Sequence, residues 1–275
     1  MTRRIVFLDI DGTIVQDDGT IPASTIEAMR GARDNGHLVL MATGRSPLEI
    51  DPRLDDLGLD GMIASAGAFV QFGGEWVIEH PMTESRVDQL VAAFERLGME
   101  YVLQARDAIH PTQGVIDSMR AFIRQSGYDE GGAHAKKGMS LYLGDFGEPN
   151  RAGVAKAVFF GADASAYDRV RHALGGDFHV VTGTIPLMGT ASGEVSAPGI
   201  TKGSAILELL DLIGMDVADS IAIGDNNNDL EMLATVGIGI AMGNGTELAK
   251  NAADEVTSAI DDDGIHRAFA RHGLI

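Results

Sequence analysis

The chain has 275 residues, 45% of them hydrophobic, no cysteine and a formal net charge of −19. Its length carries one large domain or two smaller ones, and its apolar content excludes global disorder. The absence of cysteine excludes disulfides, thiolate metal sites and a cysteine nucleophile, and the acidity disfavours nucleic acid and anionic membrane as partners.

The N-terminal third alternates short apolar runs with helical patterns. Ile5 to Leu8 reads as a buried strand. It is too short for a signal-peptide core or a membrane span, and no later run approaches membrane-helix length, so a soluble cytoplasmic protein is expected. Ser24 to Asn35 reads as a helix, with Ser24 and Glu27 as a capping box and Gly36 as its end. Leu38 to Ala42 is a second buried strand. Ser46 offers another helix start, followed by Pro47 and by Glu49 three residues on. Met62 to Ala64 is a third strand, and Phe69 to Val77 reads as a hairpin turned at Gly73-Gly74. This βαβαβ run predicts a parallel sheet with helices on its faces.

The middle of the chain has a different texture. Arg86 to Leu97 is an amphipathic helix through Val87, Leu90, Val91, Phe94 and Leu97. Strands are expected at Tyr101 to Gln104, Ser140 to Leu143, Val154 to Phe160 and Phe178 to Val181. A Gly- and charge-rich loop covers Asp129 to Lys137. The fold expected is α/β, a Rossmann-like parallel core of residues 1–81 and 189–275 with an inserted α+β module at 82–188.

The α/β style then returns. Lys202 to Ile213 is a helix with Ile206, Leu207, Leu210 and Ile213 on one stripe. Ser220 to Ile223 is a strand running into Gly224-Asp225, Leu230 to Ala234 is helical, and Val236 to Ala241 is another strand. The sequon Asn244-Gly245-Thr246 carries no glycosylation in a cytoplasmic protein.

The chemistry is written at the strand ends. In open parallel sheets, ligands bind outside the carboxyl ends of the strands. Here those ends read Asp9-Ile10-Asp11-Gly12-Thr13, Thr43-Gly44-Arg45 and Gly224-Asp225-Asn226-Asn227-Asn228-Asp229. On an extended segment Asp9 and Asp11 leave on the same side, and their repulsion calls for a cation or a shared proton. With Asp225 from a neighbouring strand they make an oxygen-donor set suited to magnesium. Alone, the first motif also describes a turn with an Asx cap; the matching strand ends favour the site. The same acidity repels a phosphorylated ligand at long range, so a phosphate site here needs local positive charge. Lys202 at a helix start supplies a compact one. No GxxxxGK[ST] loop is present, and the eight histidines show no zinc spacing.

Together these motifs resemble the haloacid dehalogenase superfamily, and within it the Cof-type (subfamily IIB) phosphatases with a large inserted cap. The resemblance runs over nearly the whole chain through DIDGT at 9–13, TGR at 43–45, Lys202 and GDNNNDLEML at 224–233. It implies a magnesium-dependent phosphatase acting on small phosphorylated metabolites such as a sugar phosphate, pyridoxal phosphate or FMN. Asp9 would be the nucleophile and Asp11 the general acid and base. Mg2+ would be held by the Asp9 carboxylate, the Asp11 backbone carbonyl and Asp225. Thr43, Lys202 and Asn228, with backbone amides near Ile10 and Gly44, would hold phosphate oxygens. Asp229 would orient Lys202 or a metal-bound water, and Arg45 would face the substrate or a structural carboxylate. His110, His134, Lys137 and Tyr142 are candidate cap selectors, read first as surface or packing residues. A second aspartate at position 11 favours phosphoryl transfer over carbon–halogen cleavage. The alternatives are a phosphomutase of the same superfamily and a phosphometabolite-binding protein without turnover. One departure stands out: Ala66 occupies the place of an asparagine common among relatives, next to Ser65. The partner expected is a small phosphorylated metabolite, with no nucleic acid and no membrane; oligomeric state is not legible.

Overall fold

The computed structural model of the protein describes residues 2–125, 143, 151–182 and 191–275. The chain divides into two units, one of Met1–Gly44, Pro52–Glu79 and Ile200–Ile275, the other of Arg45–Asp51 and His80–Gly199.

The first unit is built on an eight-stranded sheet. Its strands are β1 (Ile5–Leu8), β2 (Leu38–Ala42), β3 (Gly61–Ala64), β4 (Phe69–Phe72), β5 (Glu75–Glu79), β11 (Ser220–Gly224), β12 (Ile238–Ala241) and β13 (Glu255–Val256), in the order β13-β12-β11-β1-β2-β3-β4-β5. All pairings from β13 to β3 are parallel, and the β3–β4–β5 edge is antiparallel. Strand β1 is fully buried because both faces are covered. Ile5 and Phe7 pack with Leu40, Ile206, Leu209 and Met232 in one core. Sequence order runs away from β1 in both directions, through β2 and β3 on one side and β11 and β12 on the other. Its carboxyl end is therefore the switch point at which such sheets bind ligands.

Helix α1 (Ala23–Asp34) starts behind Pro22, whose φ is −56°. The expected Ser24 cap is therefore corrected: a proline already set near helical φ lets the helix begin ahead of the serine. Ser24 lies inside the first turn, and its Oγ is buried without a hydrogen-bond partner among the described residues. Between β2 and β3, Pro47–Glu49 forms only a short 3-10 turn, with the Glu49 carboxylate accepting the Ser46 N–H at 2.9 Å.

The second unit holds a five-stranded antiparallel sheet of β6 (Glu100–Ala105), β7 (Ile109–Pro111), β8 (Val154–Phe160), β9 (His179–Thr182) and β10 (Ser192–Ser196), in the order β7-β6-β8-β10-β9. Helix α2 (Glu84–Leu97) begins two residues ahead of the start read from periodicity, is capped by the Thr83 side chain, and ends at Gly98 with φ 67°. Its Phe94 sits 5.2 Å from the Tyr101 ring and 5.6 Å from the Phe159 ring, which seats α2 on one face of the sheet. Helices α3 (Gln113–Gln125) and α4 (Ala166–Leu174) complete the described part. His110 lies on β7. His134, Lys137 and Tyr142, with the strand expected at Ser140 to Leu143, lie outside the described residues apart from Leu143.

Four further helices serve the first unit: α5 (Lys202–Ile213), α6 (Leu230–Thr235), α7 (Glu247–Ala252) and α8 (Gly264–Arg271). No helix among the described residues is long and apolar enough to cross a membrane.

At the amino end of the sheet His37 is 4% exposed, and its Nδ1 accepts the Arg4 backbone N–H at 3.0 Å. Burial, with Arg4 and Arg3 nearby, holds its pKa below the ordinary histidine value. The neutral ring is thus favoured by folding. Its contribution to stability is complete above the unfolded histidine range and is lost as pH falls toward the lowered folded value. Denaturant titrations at pH 8 and pH 5.5 should show the wild type losing more stability between the two than His37→Gln does.

Candidate functional site

Asp9 follows the last residue of β1, and its N–H donates to the Ile223 carbonyl of the neighbouring strand. The expectation that Asp9 and Asp11 share one extended segment is not met. The chain leaves the strand after Leu8, and the Ile10 carbonyl accepts the N–H groups of Thr13, Ile14 and Val15 at 3.3, 2.9 and 2.8 Å. Gly12 makes this turn with φ 86°. In consequence Asp9 is buried at 4% exposure, whereas Asp11 is exposed.

Opposite Asp9 stands Lys202 at the start of α5. Thr201 caps that helix: its hydroxyl accepts the Ser204 N–H at 3.1 Å, and the Ser204 hydroxyl accepts the Thr201 N–H at 2.9 Å. The cap fixes where the helix begins, and with it the place of the lysine. Lys202 is 1% exposed, and its Nζ donates to Asp9 Oδ1 at 2.5 Å and to Asp229 Oδ1 at 2.6 Å.

Asp229 is held in turn by its own loop. Its Oδ2 accepts the N–H groups of Asp225 and Asn226, both at 3.0 Å. A Cβ on Gly224 would lie 2.6 Å from the Asp229 carboxyl carbon, so the loop closes this tightly only over glycine. Asp225 receives a 2.9 Å hydrogen bond from the buried Thr13 hydroxyl. A Cβ on Gly12 would come within 2.4 Å of Asp225 Oδ2, a second close approach that excludes a side chain.

Asp9, Asp225 and Asp229 each present a carboxylate oxygen within 4.8 Å of the others. Burial pushes Asp9 well above the ordinary carboxylate range; Asp229 and Asp225 add to the push, and the Lys202 ammonium opposes it. Burial and Asp229 likewise push Asp225 up to about 6, against the Thr13 hydrogen bond and Lys202. Burial works to lower Lys202, but the carboxylates of Asp229 and Asp9 outweigh it and hold the ammonium above its usual range. Among the described residues, one cation thus faces three clustered carboxylates. Hard oxygen donors carrying unbalanced negative charge fit a divalent cation such as magnesium.

Of the remaining residues singled out by sequence, those of the first unit lie at the same sheet edge or near it. Thr43 follows β2, is 1% exposed and donates its N–H to the Ile63 carbonyl, while its own carbonyl accepts the Ala66 N–H. Ile10 and Gly44 follow β1 and β2. Asn228 sits in the 3-10 turn Asn227–Asp229, and its Oδ1 is buried without a hydrogen-bond partner among the described residues. Arg45 belongs to the second unit, where its Nη1 donates to the Glu49 carbonyl at 3.2 Å. After β3, Ser65 and Ala66 both take left-handed φ, 50° and 56°. Thr13 had no assigned role in the sequence reading. Its position two residues after the second aspartate was the available signal, but a hydroxyl partner 212 positions away in sequence is not readable from spacing.

Residues 6–269 match a family model described as haloacid dehalogenase-like hydrolase. YkrA of Bacillus subtilis, named as a candidate phosphatase, is 30% identical over 278 residues, covering 100% of both chains. The pyridoxal phosphate phosphatase YbhA of Escherichia coli is 26% identical, covering 99% of each chain. The solved structure of a haloacid dehalogenase subclass IIB sugar phosphatase aligns with TM-score 0.76 at 27% identity, over 99% of this chain and 100% of that one.

Carboxyls with raised folded pKa values favour folding when protonated, and that contribution is lost as pH rises through the folded value, about 6 for Asp225. Without added metal, Asp9→Asn removes one of the mutually repelling carboxylates. Its melting temperature at pH 7.5 should exceed that of the wild type, and the gap should narrow at pH 5. Millimolar magnesium should stabilise the wild type more than the variant. A thermal-shift series over pH and magnesium concentration measures all three.

Proposed function

This chain belongs to the haloacid dehalogenase-like hydrolase family, and we propose that within it the chain is a magnesium-dependent phosphatase of small phosphorylated metabolites. The observation that carries this reading is the buried contact of Lys202 with both Asp9 and Asp229 beside a third carboxylate, Asp225.

Asp9 is the nucleophile. Lys202 holds its Oδ1, which fixes the plane of the carboxylate and favours its ionised form. A carboxylate oxygen of Asp9 attacks phosphorus, and the bond from phosphorus to the ester oxygen breaks. Asp11 gives its proton to that oxygen, and the alcohol departs. Asp11, now ionised, takes a proton from water, whose oxygen attacks the aspartyl phosphate. The bond between phosphorus and Asp9 breaks, inorganic phosphate leaves and Asp11 is again protonated. Water is consumed and no other reactant is needed.

Magnesium, held by Asp9, the Asp11 backbone carbonyl and Asp225, would supply a charge that lets an anionic nucleophile approach an anionic phosphate. Lys202, Thr43 and Asn228, with the amides near Ile10 and Gly44, hold the phosphate oxygens. Asp229 keeps Lys202 in place and spends its other oxygen on the backbone of its own loop. Arg45 acts from outside this set. The inserted module, residues 82–188 in the sequence reading, serves as the cap that selects the ester. Relatives named for pyridoxal phosphate and for 5-amino-6-(5-phospho-D-ribitylamino)uracil support a small phosphoester as the substrate.

Phosphate release from a panel of such esters should require magnesium, stop with excess EDTA and fall to the background rate in Asp9→Asn. Asp11→Asn should lower kcat by about 10²–10⁴-fold. Release that persists undiminished in Asp9→Asn, after contaminating phosphatase has been removed, would overturn the assignment.

A further inference from the structure

The tripeptide Asn244-Gly245-Thr246 has no part in the chemistry described so far, yet each of its residues touches an acid-bearing loop. Asn244 Nδ2 donates to the Gly12 carbonyl at 2.8 Å, and Asn244 Oδ1 accepts the Ile260 N–H at 2.9 Å. Gly245 lies where a Cβ would be 2.9 Å from the Asp225 carbonyl oxygen. The Thr246 N–H donates to that carbonyl at 2.8 Å, and its hydroxyl donates to Asn227 Oδ1 at 3.0 Å.

With the Thr13–Asp225 hydrogen bond these contacts close a circuit. It runs from Asn244 to Gly12, through the next residue Thr13 to Asp225, back to Thr246 and along the chain to Asn244. Gly12 is the weak link in it. The contact with Asp225 demands a glycine there, and glycine is the residue least able to hold its own backbone conformation. Within the loop only the N–H of the Gly12–Thr13 peptide is held, by a 3.3 Å bond to the Ile10 carbonyl, and its carbonyl is held from outside by Asn244.

We propose that Asn244 is a positioning residue for the reaction. Through the Gly12 carbonyl it sets the Asp9–Thr13 loop against the Asp225–Asp229 loop, and so sets the spacing of the carboxylates that hold magnesium and attack phosphorus. This rests on the phosphatase reading above. Asn244 is exposed, so its removal opens no core cavity.

The test compares wild-type full-length protein with Asn244→Ala and Asn244→Asp. Calorimetry measures magnesium binding without substrate, and kinetics with p-nitrophenyl phosphate give kcat, KM and the half-saturating magnesium concentration. In Asn244→Ala, magnesium affinity and kcat should each fall by about 10-fold, the lower end for partners that orient metal ligands, with KM little changed and the melting temperature lowered by only a few degrees. Asn244→Asp keeps the acceptor for Ile260 and loses only the donor to Gly12. Its added charge opposes any loss of cation affinity, so kcat is its readout and should fall as in the alanine variant. Unchanged magnesium affinity and kcat in Asn244→Ala, whatever its melting temperature, would overturn the proposal, as would wild-type kcat in Asn244→Asp should the alanine variant not fold. A wild type that binds magnesium but hydrolyses no ester defeats the phosphatase reading alone, because the calorimetric comparison still decides the role of Asn244.

Discussion

The buried ammonium of Lys202 is the constraint around which the first unit is arranged. A lysine at 1% exposure is tolerated only when paired, and here it is paired twice, to Asp9 at the end of β1 and to Asp229 from the loop after β11. These three residues come from separate parts of the chain, and the ion pairs hold only if the sheet order sets them side by side. Placing β1 between β11 and β2 achieves this. The Thr201 cap then fixes the end of α5 from which the lysine extends.

Charge balance in the cluster is incomplete, and that incompleteness is what makes it suited to catalysis. A fully neutralised set of buried groups would be more stable and less able to bind anything. With Asp9, Asp225 and Asp229 crowded around a single ammonium, the protein without metal carries electrostatic stress, which burial amplifies. A divalent cation bound there would relieve that stress and so couple binding energy to folding energy at this point. Close approaches at Gly12 and Gly224 show how tightly the loops are drawn in to create it.

Much of this was legible from residues alone. Strand β1, strand β2 and helix α5 fall where their apolar runs and flanking residues place them, because buried parallel strands and amphipathic helices are local patterns. The polar residues at the strand ends gather at one edge of the sheet for the same reason. The Ser24 cap failed because proline and serine compete for one helix start, and local propensity alone does not rank them. The turn after Leu8 was misread as extended, since two aspartates two residues apart look the same in a strand and in a loop. Thr13 and Asn244 went without roles because each acts through a partner more than 200 positions away.

The sequence by itself determined the α/β alternation, the chemical identity of the groups at the sheet edge and the sign of the site, an acidic edge with one lysine. Those properties depend on residue type and on spacings of a few residues. Only the tertiary structure decided which carboxylates face Lys202, that Asp9 is buried while Asp11 is not, and that the exposed Asn244 donates to the turn after Asp9. Each of those follows from distances between segments far apart in the chain, set by strand order and loop closure, and no local pattern of residues encodes such a distance.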